Sequence, residues 1–266
     1  MLEIFQYDFM IRAFIAGLII AVLAPSIGIF LVVKRYSLLT DTLSHVSLVG
    51  VALGLLSGIN PVLTAIAVSI IAALGMEKLR HAKKIFGESV LTLFLSGGLA
   101  LSLIIFSASK GLNVNIFSYL FGSIATVSEN DLKMMAGFGL FILLIIYFLF
   151  KRFFITAYDE ELAQANGLPI KLLNITLMIL AAITISISMR IVGALLVGAL
   201  MVIPVLTATQ FSKSFLKTFL YGIGISLLSV IIGLFASFYL NLPSGAAIVI
   251  SALLLFVLSL IINKKT

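Results

Sequence analysis

The sequence predicts an all-α polytopic membrane protein, and its composition is the first reason. Hydrophobic residues make up 62% of the 266 positions, charged residues make up 10%, and the mean hydropathy is +1.29. A single globular core cannot bury that much apolar surface, so we expect the chain to lie in a bilayer. Cysteine is absent from the sequence, which excludes a disulfide framework, a thiolate metal site and a cysteine nucleophile.

Nine apolar stretches are the second reason, because a helix needs roughly 20 apolar residues to cross a bilayer. In chain order they lie near residues 10–33, 38–57, 61–79, 89–109, 131–150, 172–188, 191–209, 215–238 and 245–262. Only the neighbourhood of Met189 and Arg190 separates the sixth stretch from the seventh, so eight spans with a re-entrant piece stay open. The first stretch follows Glu3 and Asp8 rather than a basic region, and it is too long for a cleavable signal. We treat residues 1–266 as one transmembrane domain.

The distribution of positive charge is the third observation, and it orients the spans. With the amino terminus outside, 13 of the 17 lysine and arginine residues fall in inner loops. The four exceptions are Arg12, Lys110, Lys133 and Arg190. Cytoplasmic loops carry an excess of these residues, so the pattern predicts an external amino terminus and a cytoplasmic carboxyl terminus. In a membrane protein this sidedness accounts for the net charge of +7 without a nucleic-acid partner.

The second span carries the candidate metal ligands. On a helix, Asp41 and His45 lie one turn apart, so a carboxylate oxygen and an imidazole nitrogen can converge on one ion. Two ligands are too few for tight binding, but two copies about a two-fold axis supply four, which suits zinc or, with water, manganese. The alternative is that Asp41 belongs to a capped first turn and that His45 bonds a neighbour. Ionisable residues inside a membrane are functional by default.

Small residues and prolines suggest how the spans pack. Gly50 and Gly54 lie about 180° from Asp41 and His45, and Gly58 continues a stripe that allows close helix contact. Pro25 and Pro204 interrupt hydrogen bonding inside the first and seventh spans, either as packing kinks or as hinges for alternating access. Gly193 and Gly198, near Pro204, permit close contact with a neighbour that is either moving or static.

Two longer linkers remain. Residues 110–131 are external on this topology and suit a short interfacial helix, either as a docking surface or as a lipid-facing connector with aromatic anchors. The second linker predicts a cytoplasmic helix near residues 157–169, with Asp159, Glu160 and Glu161 in its first turn and Gly167 at its end. A solvated, capped surface helix without a binding partner would account for these features of the second linker.

Four stretches together resemble the metal-permease family of ABC importers (the ABC-3 type), which takes up zinc, manganese or iron. They are residues 32–54, 119–132, 158–169 and 192–210. The resemblance implies a type II ABC-importer-like bundle that works as a homodimer on two ATPase subunits, fed by an extracellular metal-binding protein. It also implies that Asp41 and His45 form the pore metal site. Glu161, Ala163 and Gly167 match the spacing of the family's coupling loop, which sits in a groove of the ATPase.

The expected function is therefore that of a non-enzymatic, pore-forming permease in a bacterial or archaeal plasma membrane. No P-loop pattern occurs, so ATP must bind a separate chain. The transported zinc, manganese or iron is cargo, no resident cofactor is expected, and oxygen and nitrogen ligands do not choose among these metals. One alternative, an ion-coupled secondary transporter, calls for inverted repeats, which we do not find. The other, an intramembrane metalloenzyme, needs further ligands and a general base.

Overall fold

The computed structural model describes residues 2–81, 87–108, 116–212 and 214–263, and every regular element in these ranges is helical. The α-helices are α1 (Asp8–Val33), α2 (Ser37–Ser57), α3 (Pro61–His81), α4 (Gly87–Ala108), α5 (Ile116–Phe121), α6 (Glu129–Tyr158), α7 (Glu160–Ala165), α8 (Ile170–Val192), α9 (Val197–Phe211), α10 (Phe215–Leu240) and α11 (Ser244–Asn263). Short 3₁₀ helices cover Leu2–Gln6 and Ile124–Thr126. The all-α membrane fold predicted from the sequence is confirmed.

Within the described ranges, eight helices are long and apolar enough to cross a membrane. They are α1, α2, α3, α4, α6, α8, α10 and α11. Each of the nine apolar stretches of the sequence forms a helix, but the seventh, α9, has only 15 residues and is shorter than a full crossing. The described residues therefore contain eight helices of spanning length and one short apolar helix, which agrees with the eight-span alternative that the sequence left open.

The turn between α8 and α9 explains why α9 is short. The backbone N–H of Ala194 donates to Tyr119 O (2.8 Å), and that of Leu195 donates to Leu120 O (3.2 Å). The carboxyl end of α5 thus supplies acceptors for backbone donors that the break between α8 and α9 leaves without a helical partner. Sequence analysis expected a short interfacial helix in residues 110–131, and α5 lies there, although residues 110–115 are outside the described residues.

Three glycines let these segments touch backbone to backbone. A Cβ atom at Gly122 would collide with Ile191 O, one at Gly193 with Leu120 O, and one at Gly245 with Val192 O. Ser244 Oγ donates to Ile191 O (2.6 Å), which ties the start of α11 to the end of α8. We call this arrangement of Gly122, Gly193 and Gly245 the glycine contact.

The centre of the bundle is formed by α1 and α8, whose side chains are mostly buried. The outer surface is apolar, with exposed side chains such as Ile71, Leu140, Tyr147 and Phe148 that suit contact with lipid. Pro25 lies inside α1 and Pro204 inside α9, and both helices continue past their prolines. Whether either proline acts as a hinge stays a prediction.

The first two helices are joined by a tight corner. The N–H of Arg35 donates to Val32 O (3.0 Å) and the N–H of Tyr36 donates to Leu31 O (2.8 Å), the pair of bonds of a Schellman motif. Arg35 has φ = 60°, a left-handed conformation that is unfavourable for a residue with a side chain. Tyr36 is the N-cap of α2, so three residues separate the two helices.

Candidate functional site

Asp41 and His45 lie on a face of α2 that the rest of the chain covers only in part. Asp41 is exposed and His45 is partly buried, whereas the three residues between them are buried. The uncovered stripe of α2 repeats at helical spacing and comprises Leu38, Asp41, His45, Val49, Leu53 and Leu56. A carboxylate and an imidazole on an open apolar stripe are available to an ion or to a second protein surface.

Neither side chain is used by a local hydrogen bond within the described part of the chain. The N-cap of α2 is Tyr36, which makes no side-chain capping bond, and Asp41 is the fifth residue of the helix. The nearby hydroxyl groups bond to the helix backbone instead, Thr40 to Ser37 O (2.7 Å) and Ser44 to Thr40 O (2.8 Å). The Nδ1 atom of His45 is buried and has no hydrogen-bond partner. The capping alternative weighed for Asp41 is thus not what the structure shows.

The amino end of α9 packs on the candidate site. A Cβ atom at Gly198, in the first turn of α9, would collide with Asp41 Oδ1 and Thr40 Oγ1. The carboxylate therefore lies against a helix amino terminus, whose dipole favours negative charge. Sequence analysis noted Gly198 as a close-contact residue but missed that its neighbour is Asp41, because α2 and α9 are far apart in the chain. A second glycine, Gly98 of α4, allows α4 to approach the backbone of His45 and Val46, although less closely than α9 approaches Asp41.

One chain supplies only two of the ligands that a metal ion needs. Among the described residues, no group of three or more histidine, aspartate or glutamate side chains is close enough to hold a metal ion. A transition metal usually takes four or more ligands, so a complete shell here calls for water or a second copy of the chain.

The opposite face of α2 packs on α3. A Cβ atom at Gly50 would meet the backbone of Thr64 and Ala65, and one at Gly54 would meet Thr64 and Pro61. Sequence analysis placed Gly58 on this packing stripe, and that assignment is wrong. No atom lies within 4 Å of the position that a Cβ atom at Gly58 would occupy. Gly58 ends α2 instead, with φ = 71° in the left-handed region that favours glycine.

Overpacking the face between α2 and α3 should lower the amount of folded protein. We expect Gly54→Leu to reduce the protein recovered from the membrane, since inserting side-chain atoms into a packed contact costs about 1–3 kcal/mol. Gly224→Leu in α10 is the matched control, because nothing lies within 4 Å of a Cβ at Gly224. Immunoblots of membrane fractions compare the two variants, and equal recovery would contradict the expectation.

The predicted surface helix is shorter than residues 157–169, because α6 continues to Tyr158 and α7 covers only Glu160–Ala165. Asp159 separates the two helices and caps α7, with its Oδ1 accepting from Leu162 N–H (3.0 Å). A second Schellman motif ends α7, since Gly167 N–H donates to Gln164 O (2.9 Å) and Leu168 N–H donates to Ala163 O (3.0 Å). Gly167 has φ = 70°, as that motif requires.

The residues of α7 divide into an inner and an outer set. Ala163 is completely buried, which fixes α7 against the bundle. Glu161 is exposed, and two large apolar side chains beside it are also exposed, Leu162 by 53% and Tyr158 by 76%. An acidic residue flanked by exposed apolar side chains is typical of a surface that contacts another protein.

Glu160 turns inward and pairs with Lys34 at the end of α1. Lys34 Nζ lies 2.8 Å from Glu160 Oε1, and Asn174 Nδ2 of α8 donates to the same oxygen (3.2 Å). Burial acts to raise the pKa of Glu160, but the hydrogen bond and charge of Lys34 outweigh it, so this pKa lies below its usual value. Burial also lowers the pKa of Lys34, although the carboxylate opposes this shift. Sequence analysis grouped Glu160 with the exposed acidic residues and did not identify Lys34 as its partner.

The sequence is similar to those of known metal-transport proteins. The sequence is 32% identical to the high-affinity zinc uptake system membrane protein ZnuB of Haemophilus influenzae, over 98% of this chain and 100% of the relative. It is 31% identical to the manganese import system permease protein ScaB of Streptococcus parasanguinis, over 98% of this chain and 92% of the relative.

The fold comparison agrees with the sequence comparison. The solved structure of PsaBC from Streptococcus pneumoniae in complex with Fab matches with a TM-score of 0.87 at 29% identity, covering 97% of this chain and 92% of the matched chain. The model of the ABC 3 transport family matches residues 6–263, nearly the whole sequence. The chain is a member of the ABC 3 transport family.

Proposed function

We propose that the chain is the pore-forming permease subunit of an ATP-driven importer of divalent transition metal ions. The observation that carries this proposal is the pair Asp41 and His45, which share the uncovered stripe of α2 and have no hydrogen-bond partners among the described residues. Together they supply oxygen and nitrogen ligands on an apolar membrane helix, where ionisable groups are otherwise costly. Family membership supports transport rather than catalysis as their use.

A second copy of the chain completes the proposed site. If two α2 stripes face each other across a two-fold axis, two Asp41 and two His45 side chains surround one ion. The open stripe supports this arrangement, since its leucine side chains are 40–53% exposed in the single chain and can be covered by a second copy. The site then belongs to neither copy alone, and separation of the copies releases the ion.

The relatives support zinc and manganese as candidate cargo ions, but they do not distinguish between these two metals. The zinc uptake protein ZnuB and the manganese import protein ScaB are similarly close to this chain. Aspartate and histidine ligands suit zinc and manganese, and ferrous iron is the third metal that this ligand set accepts. We propose zinc or manganese as the cargo and treat either as substrate rather than resident cofactor.

The remaining partners follow from the two surfaces described above. No P-loop occurs in the sequence, so two copies of a separate ATPase are proposed to contact Glu161 of α7 and Gly167 just after it, both of which are exposed. Ala163, which the sequence analysis grouped with them, is buried and instead holds α7 against the bundle. A metal-binding protein is proposed to dock on the opposite end of the bundle, where α5 lies. The setting is a bacterial or archaeal plasma membrane.

Uptake of metal into sealed vesicles tests the proposed function. The chain, its ATPase and its metal-binding protein are reconstituted together, and zinc and manganese are each measured inside the vesicles with and without ATP. Import that requires ATP and all three proteins is the expected result. Uptake by the chain alone, driven by an ion gradient, would instead favour a secondary transporter.

Reporter fusions test the proposed orientation. We expect a reporter after Thr266 and one near Lys83 to be cytoplasmic, and one near Asn113 to be external, because inner loops carry most of the positive charge. Both internal positions lie outside the described residues, so the fusions test the topology independently of the fold. Finding Lys83 and Asn113 on the same side would overturn the predicted topology, in which α4 crosses the membrane between them.

A further inference from the structure

Lys34 lies where three helices meet. Its ammonium group donates to Glu160 Oε1 of α7 (2.8 Å) and to Asn174 Oδ1 of α8, while Asn174 Nδ2 donates to the same Glu160 oxygen. The three polar groups therefore form a closed triangle. The Lys34 side chain is 5% exposed and that of Glu160 is 50% exposed. Solvent therefore reaches the triangle from the α7 side and not from the bundle side.

The same residue is rigidly connected to the helix that carries Asp41 and His45. Lys34 is the C-cap of α1, its N–H donates to Phe30 O, and the Schellman motif follows at once. Tyr36 O then accepts from Leu39 N–H (3.0 Å) in the first turn of α2. Because each residue of this corner is hydrogen-bonded, a displacement of Lys34 displaces the start of α2, less than two helical turns before Asp41.

A further helix, α3, contacts the corner between α1 and α2. The Arg80 guanidinium lies over the Tyr36 ring, 4.9 Å from its centroid, and Lys34 Nζ lies 5.7 Å from the same centroid. Arg80 also pairs with Glu77 of α3 (3.1 Å). These contacts link the corner to α3, since the ion pair with Glu77 orients the guanidinium that lies over the Tyr36 ring.

We propose that Lys34 is a positioning residue that transmits movement of α7 to α2 and so couples ATP hydrolysis to displacement of the metal ligands. This inference rests on the proposed function. The Glu160 side chain is 50% exposed, so water can solvate its carboxylate once Lys34 is replaced, and the change should spare the fold and alter the coupling. A purely structural contact would instead change the amount of protein and leave the ratio of transport to hydrolysis unchanged.

The first test measures metal ions imported per ATP hydrolysed by the complete complex in vesicles. We expect Lys34→Met to lower this ratio about tenfold, as for loss of a hydrogen bond to a charged group, with ATP hydrolysis maintained. Lys34→Arg should keep most of the ratio, and the exchange Lys34→Glu with Glu160→Lys should restore part of it. Lys217→Met is the control, because Lys217 is exposed on α10 and has no partner among the described residues.

The second test does not depend on metal transport. Because the sequence lacks cysteine, spin labels can be placed on Gln164→Cys in α7 and Ser57→Cys at the far end of α2. In the assembled complex, ATP binding should leave the distance between the two spin labels unchanged when Lys34 is present, because α7 and α2 move together. In Lys34→Met the distance should change, because α7 moves alone.

The outcomes separate the two proposals. An unchanged distance and an unchanged transport ratio in Lys34→Met would overturn the role of Lys34 while leaving the metal permease intact. A changed distance in a complex that imports no metal would support the role of Lys34 and overturn the proposed cargo. If Lys34→Met is not recovered from membranes, Glu160→Gln breaks the same ion pair and provides the same two measurements.

Discussion

Replacement of Asp41 or His45 by alanine is expected to abolish metal uptake while leaving the amount of protein in the membrane nearly unchanged. Both side chains lie on the uncovered stripe of α2, so their truncation leaves no large cavity in the core of the chain. The double variant should be scarcely worse than either single variant, because residues that share one ligand shell are not additive. Uptake is measured in cells that retain the ATPase and the binding protein.

Leu140→Ala provides the control for these variants. Leu140 lies on α6, away from the α2 stripe, and its side chain is exposed on the apolar outer surface. It offers no ligand atom, so this variant should retain uptake, and the comparison separates loss of a ligand from loss of an apolar side chain. Metal carried at the unmodified rate by His45→Ala, at normal expression, would refute the proposed site.

The second large effect is expected at the end of α7. Gly167→Pro should leave the permease in the membrane but reduce ATPase co-purification and metal uptake together. Proline fixes φ near −65°, whereas Gly167 has φ = 70°, and proline also lacks the N–H that bonds to Gln164 O. A substitution so incompatible with the native backbone destabilises the segment by more than about 1 kcal/mol.

Two further variants show whether the shape or the charge of α7 matters. Gly167→Asn should retain most activity, because asparagine tolerates the left-handed conformation. Glu161→Lys reverses an exposed charge without altering the backbone, so it should weaken ATPase binding if the partner surface is complementary. Normal co-purification and uptake by both Gly167→Pro and Glu161→Lys would reduce α7 to a surface turn.

The spans were predictable because length and apolar content are local properties of a sequence. The short α9 was not, since its length depends on the contact of Ala194 and Leu195 with α5, more than 70 residues earlier in the chain. Gly58 was assigned wrongly for a related reason. Helical spacing placed it on the packing stripe, but a glycine at the end of a helix more often provides the left-handed cap.

The candidate site was predictable only in part. Helical periodicity places Asp41 and His45 on one face, and that part depends on α2 alone. The contact of Gly198 with Asp41 and the pairing of Lys34 with Glu160 join helices that are remote in the sequence. No spacing rule connects such residues, because their proximity results from the packing of the whole bundle.

The glycine contact also sets an order of events during synthesis of the protein. Ile191 O accepts from the hydroxyl of Ser244, a residue that leaves the ribosome 53 positions later. Until α11 is inserted, this carbonyl lacks its hydroxyl donor, and the close backbone packing against Gly245 is also missing. The Gly122 and Gly193 parts of the glycine contact join α5 to α8 and can form without α11, whereas the Gly245 part waits until α11 has been made.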